Sequence, residues 1–274
     1  MRNCPSSGDA AGSLTFSSLD SAVRASVLVW HHRGLVTEEE PIRRVLVVVA
    51  HPDDCDFGCA ATTALWTSQG IEVMYCIVTD GEAGGSDRSA PRADVARLRR
   101  QEQTAAGQAV GVSDITFLGF PDGRVTPSIE LRRDISRVIR TKQPQRVMVQ
   151  SPLRNFTRIF ASHPDHLAAG EAALCAVYPD ARNPFAHPEL LAEGLEPWTV
   201  AETWIMGGAG QTDQVVDVTD TIDRKLEALR CHRSQYDDWE SLEERIRTWA
   251  SANAAASGLG EGRSAEVFQL VRTG

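Results

Sequence analysis

Six apolar residues, Val45, Leu46, Val47, Val48, Val49 and Ala50, run without interruption into His51, Pro52, Asp53 and Asp54. An apolar, β-branched run with no polar alternation predicts a strand covered on both faces, as in the interior of a parallel sheet. Such a strand requires helices above and below it. It also delivers an imidazole and two carboxylates at its carboxyl end, the edge of an open α/β sheet where ligands bind. One stretch of sequence therefore predicts both an architecture and the position of a site.

The remainder of the chain fits that architecture. Strands are predicted over residues 45–50, 71–79, 114–118, 146–150, 200–206 and 214–218. Helices are predicted over 57–69, 94–110, 129–142, 163–177, 221–231 and 239–250, with Gly70, Gly111 and Pro144 as stops. Alternation of this kind predicts an α/β fold, a Rossmann-like, mostly parallel sheet with helices on both faces, as one domain over residues 42–274. Residues 1–41 read as an N-terminal extension, with a marginal helix at 13–30 and a charged linker at 37–41. His31 and His32 are adjacent, so a helix would not put them on one face, and no chemistry is assigned to them. The Ala/Ser/Gly-rich stretch 251–262 is expected to be a surface loop.

Composition narrows the function classes. A hydrophobic fraction of 42% over 274 residues supports one sizeable core. A formal net charge of −9 argues against a general nucleic-acid-binding role. No apolar run approaches the roughly 20 residues of a membrane span, and residues 1–20 lack the basic-then-apolar order of a secretion signal. The six cysteines are scattered without a framework spacing, and Cys55 and Cys59 have no second pair to complete a metal site. Buried free thiols and a cytoplasmic location are the expectation. A homo-oligomer is left open.

A second cluster, His163-Pro164-Asp165-His166, lies far downstream. His51, Asp54 and His166 can supply the three protein ligands of a catalytic zinc, whose fourth position is kept for water. The same ligands would also suit Fe2+. Asp53 then lies beside the metal but free, as a general base. His163, held in its charged form by Asp165, would stabilise the oxyanion. Asp80, Glu82 and Asp122 follow neighbouring strands and gather at the same edge of the sheet. Taken singly, each histidine motif reads equally well as a capped helix start. Both in one chain, with this strand order, favour metal-assisted hydrolysis.

At these residues the sequence resembles the PIG-L/LmbE-like superfamily of zinc-dependent N-deacetylases, which act on N-acetylglucosamine derivatives, including mycothiol and bacillithiol precursors. Ala50 to Gly58 corresponds to its Ala-His-Pro-Asp-Asp-x-Glu-Phe-Gly motif, with Asp56 standing where many members carry Glu. His163 to His166 matches its His-Pro-Asp-His motif. Thr79 to Gly84, Arg99 to Glu102, Val110 to Val112, Phe120 to Gly123 and Cys231 to Gln235 resemble weaker motifs, in family order, within residues 42–236. The resemblance implies an LmbE-like fold, with His51, Asp54 and His166 as zinc ligands. It implies Asp53 as base and then acid toward the leaving amine, and His163 as oxyanion stabiliser oriented by Asp165. It places Glu82, Arg99 and Asp122 where the family contacts sugar hydroxyls, and implies a small-molecule amino-sugar substrate.

Three other readings compete. An amidase could cleave a larger conjugate with the same site. A nucleotide-binding module suits the strand–helix alternation, but the turn after residue 50 has no Gly-x-Gly-x-x-Gly and carries carboxylates where a pyrophosphate would need backbone N–H groups. A non-catalytic sugar-binding protein would have no need of a free base beside a metal.

Overall fold

The computed structural model describes residues 41–274 except 86, 160–161 and 208–211. The expected helix at 13–30, the His31-His32 pair, Cys4 and all of the expected extension but Pro41 lie outside the described residues. The apolar run forms β1 (Arg44–Val49), and α1 (Asp54–Ser68) follows almost at once. Next come β2 (Glu72–Thr79), α2 (Arg92–Ala109), β3 (Ile115–Phe120), α3 (Ile129–Lys142) and β4 (Arg146–Gln150). After β4 come α4 (Pro164–Cys175), a π turn (Ala176–Asp180), α5 (Pro188–Ala192), β5 (Glu202–Met206) and β6 (Gln214–Asp217). The chain continues through α6 (Ile222–Leu229), α7 (Trp239–Ala256) and β7 (Ala265–Arg272).

The strands form one sheet of order β3-β2-β1-β4-β5-β7-β6. The pairs among β1 to β5 are parallel, whereas β7 runs antiparallel to both β5 and β6. The sheet is thus mostly parallel, as expected, and mixed at one edge. The expected surface loop at 251–262 is helical as far as Ala256, and β7 follows it unanticipated. The sequence of β7, Ala-Glu-Val-Phe-Gln-Leu-Val-Arg, has no clean period of two, because Glu266 turns inward to serve another element.

Alternation along β1 sends side chains to two apolar layers. Leu46 and Val48 pack with Leu131 and Ile135 of α3 and Ala169 and Ala172 of α4. Val45, Val47 and Val49 face the other way, with Cys59 and Ala60 of α1, Ala106 of α2 and Ala228 of α6. All five of these β1 side chains are fully shielded from solvent, and each such burial stabilises the fold by roughly 1.5–3 kcal/mol. Of the free thiols, Cys55, Cys59 and Cys76 are buried, while Cys175 and Cys231 are partly exposed.

Three local features set the position of the site. Strand order reverses between β1 and β4, which opens a crevice at their carboxyl ends. Gln150 bridges it, its Oε1 accepting the Ala50 N–H at 2.9 Å. Gly170 lets α4 lie directly on the end of β4, since a Cβ there would collide with the Gln150 carbonyl. In α1 the helix breaks at Cys59 (φ −152°, ψ 16°). The groups near the break are satisfied by side chains from far along the chain. Glu266 accepts the Thr62 N–H at 2.8 Å, and Lys225 donates to the Phe57 carbonyl at 2.7 Å and to Glu266 at 2.6 Å.

Candidate metal and active site

Asp53 occupies the position before α1 that a capping carboxylate would take, yet its side chain makes no capping bond. Its backbone is left-handed, with φ 95°, an uncommon state for a residue with a Cβ. The Gln103 Oε1 holds this conformation by accepting the Asp53 N–H at 2.7 Å. A turn of this shape puts the two adjacent aspartates to different uses.

Asp54 faces two imidazoles. His51 Nδ1 lies 3.4 Å from Asp54 Oδ2, His166 Nε2 lies 3.1 Å from Asp54 Oδ1, and the two nitrogens are 3.2 Å apart. Donors held about 2.0–2.2 Å from a tetrahedral zinc are roughly 3.3–3.6 Å from one another. The two nitrogens and one carboxylate therefore fit such an ion in both chemistry and spacing. His163 completes a triangle of imidazoles, with ring centroids 5.0 Å from His51 and 5.2 Å from His166. It brings a nitrogen within 4.8 Å of theirs and is the most solvent-exposed of the three.

The other edge of His51 meets carboxylates. Its Nε2 lies 3.0 Å from Asp122 Oδ1 and 3.3 Å from Asp165 Oδ2. A second-edge carboxylate of this kind fixes the tautomer and orientation of a metal-binding histidine. Burial works against a charge on His51, but the bonds to Asp122 and Asp54 outweigh it and push its pKa up to about 10. Burial likewise opposes ionisation of Asp122, yet the His51 contact and the Ala83 N–H bring it down to about 2. Three carboxylates around one imidazole favour positive charge at this point, which a divalent cation supplies.

The structure changes the parts expected of several residues. Asp165 does not hold His163 through its carboxylate. That carboxylate accepts the N–H groups of Gly123 (2.7 Å) and Val125 (3.2 Å) and abuts His51. Instead, His163 Nδ1 accepts the Asp165 backbone N–H at 3.2 Å, which leaves the proton on Nε2 of a neutral ring. Burial lowers the His163 pKa, and His51 and His166 lower it further, so the charged form is disfavoured. A neutral His163 still presents an N–H donor.

Arg99 is buried and points inward, donating to the carbonyls of Pro52 (2.6 Å) and Gly81 (3.0 Å) and to Asp53 Oδ2 (3.2 Å). Gly81, at φ 66°, has no room for a Cβ against that guanidinium. Glu82 accepts the Asp122 N–H at 2.9 Å, while Asp122 accepts the Ala83 N–H at 2.8 Å. Glu82, Arg99 and Asp122 thus tie the loops after β2 and β3 to the turn that carries His51, Asp53 and Asp54. Asp56, fully buried, meets His232 Nε2 at 2.8 Å and the Gln103 amide at 2.9 Å.

Gln103, Tyr236 and Trp249 had carried no expectation from the sequence. Tyr236 donates its hydroxyl to Asp53 Oδ2 at 2.8 Å. A cavity of about 370 Å³ opens beside Asp54 and His166, lined also by Phe57, Met206, Asn155 and, from α7, Ile246, Trp249 and Asn253.

The family model for GlcNAc-PI de-N-acetylases, PIG-L, matches residues 46–177. Diacetylchitobiose deacetylase of Thermococcus kodakarensis is 32% identical over 219 residues, spanning 79% of this chain and 80% of that protein. The chain belongs to the PIG-L family. A probable N-acetyl-α-D-glucosaminyl L-malate deacetylase of Bacillus cereus is also 32% identical, over 70% of this chain and 84% of that one. Among solved structures, N,N′-diacetylchitobiose deacetylase of Pyrococcus horikoshii superposes with a TM-score of 0.77 at 31% identity, covering 84% of each chain. The 4-carboxy-2-hydroxymuconate hydratase of Pseudomonas putida shares the fold at 22% identity, with a TM-score of 0.69, over 84% of this chain and 96% of that one. The PIG-L fold alone therefore does not decide the reaction; the side chains of the site do.

Proposed function

We propose that this PIG-L protein is a hydrolytic N-deacetylase that removes acetyl from an N-acetylated amino sugar, with zinc held by His51, Asp54 and His166. The observation that carries the reading is the approach of His51 Nδ1 and His166 Nε2, 3.2 Å apart, to the two oxygens of Asp54, at 3.4 and 3.1 Å, with a separate carboxylate, Asp53, in the adjoining residue. When bound, zinc polarises the amide carbonyl and acidifies the attacking water. Asp53 takes the proton from that water and returns it to the amine nitrogen as the C–N bond breaks. His163 donates its Nε2–H to the carbonyl oxygen as negative charge develops there. Asp122 and Asp165 keep His51 in the tautomer that turns Nδ1 toward the cation.

The rest of the substrate would extend into the cavity beside Asp54 and His166. Trp249 is 41% exposed and offers a ring against which the apolar face of a sugar can lie, with Asn155 and Asn253 among the polar groups nearby. Acetate release from a panel of N-acetylglucosamine mono- and disaccharides, run alongside metal analysis, tests the reading. About one zinc per chain and zinc-dependent release are expected. A protein that refuses added zinc, or a zinc-loaded one that releases no acetate from any member, would sink it.

A further inference from the structure

The connector between α6 and α7 is held by three side chains spaced two residues apart. His232 meets Asp56, Ser234 donates its N–H (2.8 Å) and its hydroxyl (2.7 Å) to Glu102, and Tyr236 reaches Asp53. The last of these contacts bears on catalysis. Asp53 Oδ2 receives both the Tyr236 hydroxyl, at 2.8 Å, and the Arg99 guanidinium, at 3.2 Å. Among the described residues Oδ1 accepts no bond. The carboxylate is thus anchored through one oxygen, and the other is left for a proton in transit. The Tyr236 ring is itself held edge-on, with centroids 5.4 Å from Phe57 and 6.0 Å from Trp239.

We propose that Tyr236 is a positioning residue that orients Asp53, so that Oδ1 is the oxygen that exchanges protons with water and the leaving amine. This rests on the general-base role proposed above for Asp53. Arg99 alone does not define the carboxylate plane, because its guanidinium is also engaged by the Pro52 and Gly81 carbonyls. Two donors arriving at one oxygen from different elements, α2 and the α6–α7 connector, restrict rotation about the Cβ–Cγ bond.

The test is Tyr236→Phe in the zinc-loaded enzyme, with its crystal structure. The variant keeps the ring packing and loses only the hydroxyl. kcat is expected to fall roughly 10- to 100-fold, the effect of a small misplacement of a reacting group. KM should stay within about twofold, with zinc content and Tm at wild-type values, and the Asp53 carboxylate should be rotated or split between two orientations. Tyr236→Leu, which removes ring and hydroxyl together, should match the Phe variant in kcat while also losing Tm. An unchanged kcat in the Phe variant, a loss traced to zinc content or to KM, or a carboxylate that has not moved would each overturn the proposal. If the wild-type protein deacetylates nothing, the proposed function falls, and the crystal structures still decide whether Tyr236 orients Asp53.

Discussion

Asp53 and Asp54 are chemically identical neighbours that the fold drives in opposite directions. Burial raises the Asp53 pKa to about 6, and the adjoining Asp54 charge adds to that, against Arg99, His232 and Tyr236. Burial also works on Asp54, but His166 and His51 hold it well below the ordinary carboxylate range. Two carboxyl groups pushed apart in this way suit the division between ligand and base proposed for them. Asp53→Asn should lower kcat by about 10²–10⁴-fold while keeping zinc, whereas Asp54→Asn should lose zinc; metal content and turnover measured on both variants check the assignment. A base works only when deprotonated, so activity should fall as pH drops through its pKa. A cation beside Asp53 favours the carboxylate, so the acid limb of kcat/KM should lie at or below about 6. The His-Pro-Asp-Asp and His-Pro-Asp-His motifs together made the clustering of His51, Asp54 and His166 legible, because each lies beyond the carboxyl end of a strand in a parallel sheet. The partners of Asp165 and Arg99 were not legible. Each reaches across to another loop, and a one-dimensional pattern does not say which loop will be there.

At the scale of elements, α3 is the clearest agreement between pattern and structure: it spans Ile129–Lys142 as its periodicity predicts, with Ser128 capping the Leu131 N–H. It also hides Arg140, which the pattern did not single out. This arginine is almost fully buried and donates to the carbonyls of Asp180, Ala181, Asn183, Ala186 and Leu195. It organises the stretch around α5, where too few periodic residues exist for a sequence to announce its own shape. Arg140→Met should strip those carbonyls of a buried donor and destabilise the protein by about 2–4 kcal/mol, read from urea unfolding. A variant within 0.5 kcal/mol of wild type, roughly the level of an inert surface change, would show that other groups hold this stretch. Among the C-terminal elements β7 was not legible, for a related reason. Glu266 and Lys225 are buried where α1 breaks, and no local pattern pairs them with a helix so far away in the chain.

For the molecule as a whole, the sheet edge gathers the proposed site and α7 lines the cavity beside it. Trp249 on α7 is expected to govern substrate size. Trp249→Ala should raise KM for an N-acetylated disaccharide by about tenfold, or roughly 1.4 kcal/mol, and leave a monosaccharide little affected. Equal effects on both would place the larger substrate elsewhere. Among the described residues no helix is long and apolar enough to cross a membrane. Stripping the metal with a chelator should lower Tm, and zinc should restore it, because a ligand that binds only the folded chain stabilises it by mass action. His51 and His166 are 115 residues apart in the chain and flank the point where strand order reverses. As the polypeptide emerges during synthesis, β1, β2 and β3 can associate well before α4 exists. The three ligands proposed for the cation therefore meet only once α4 has been made and has docked against β1.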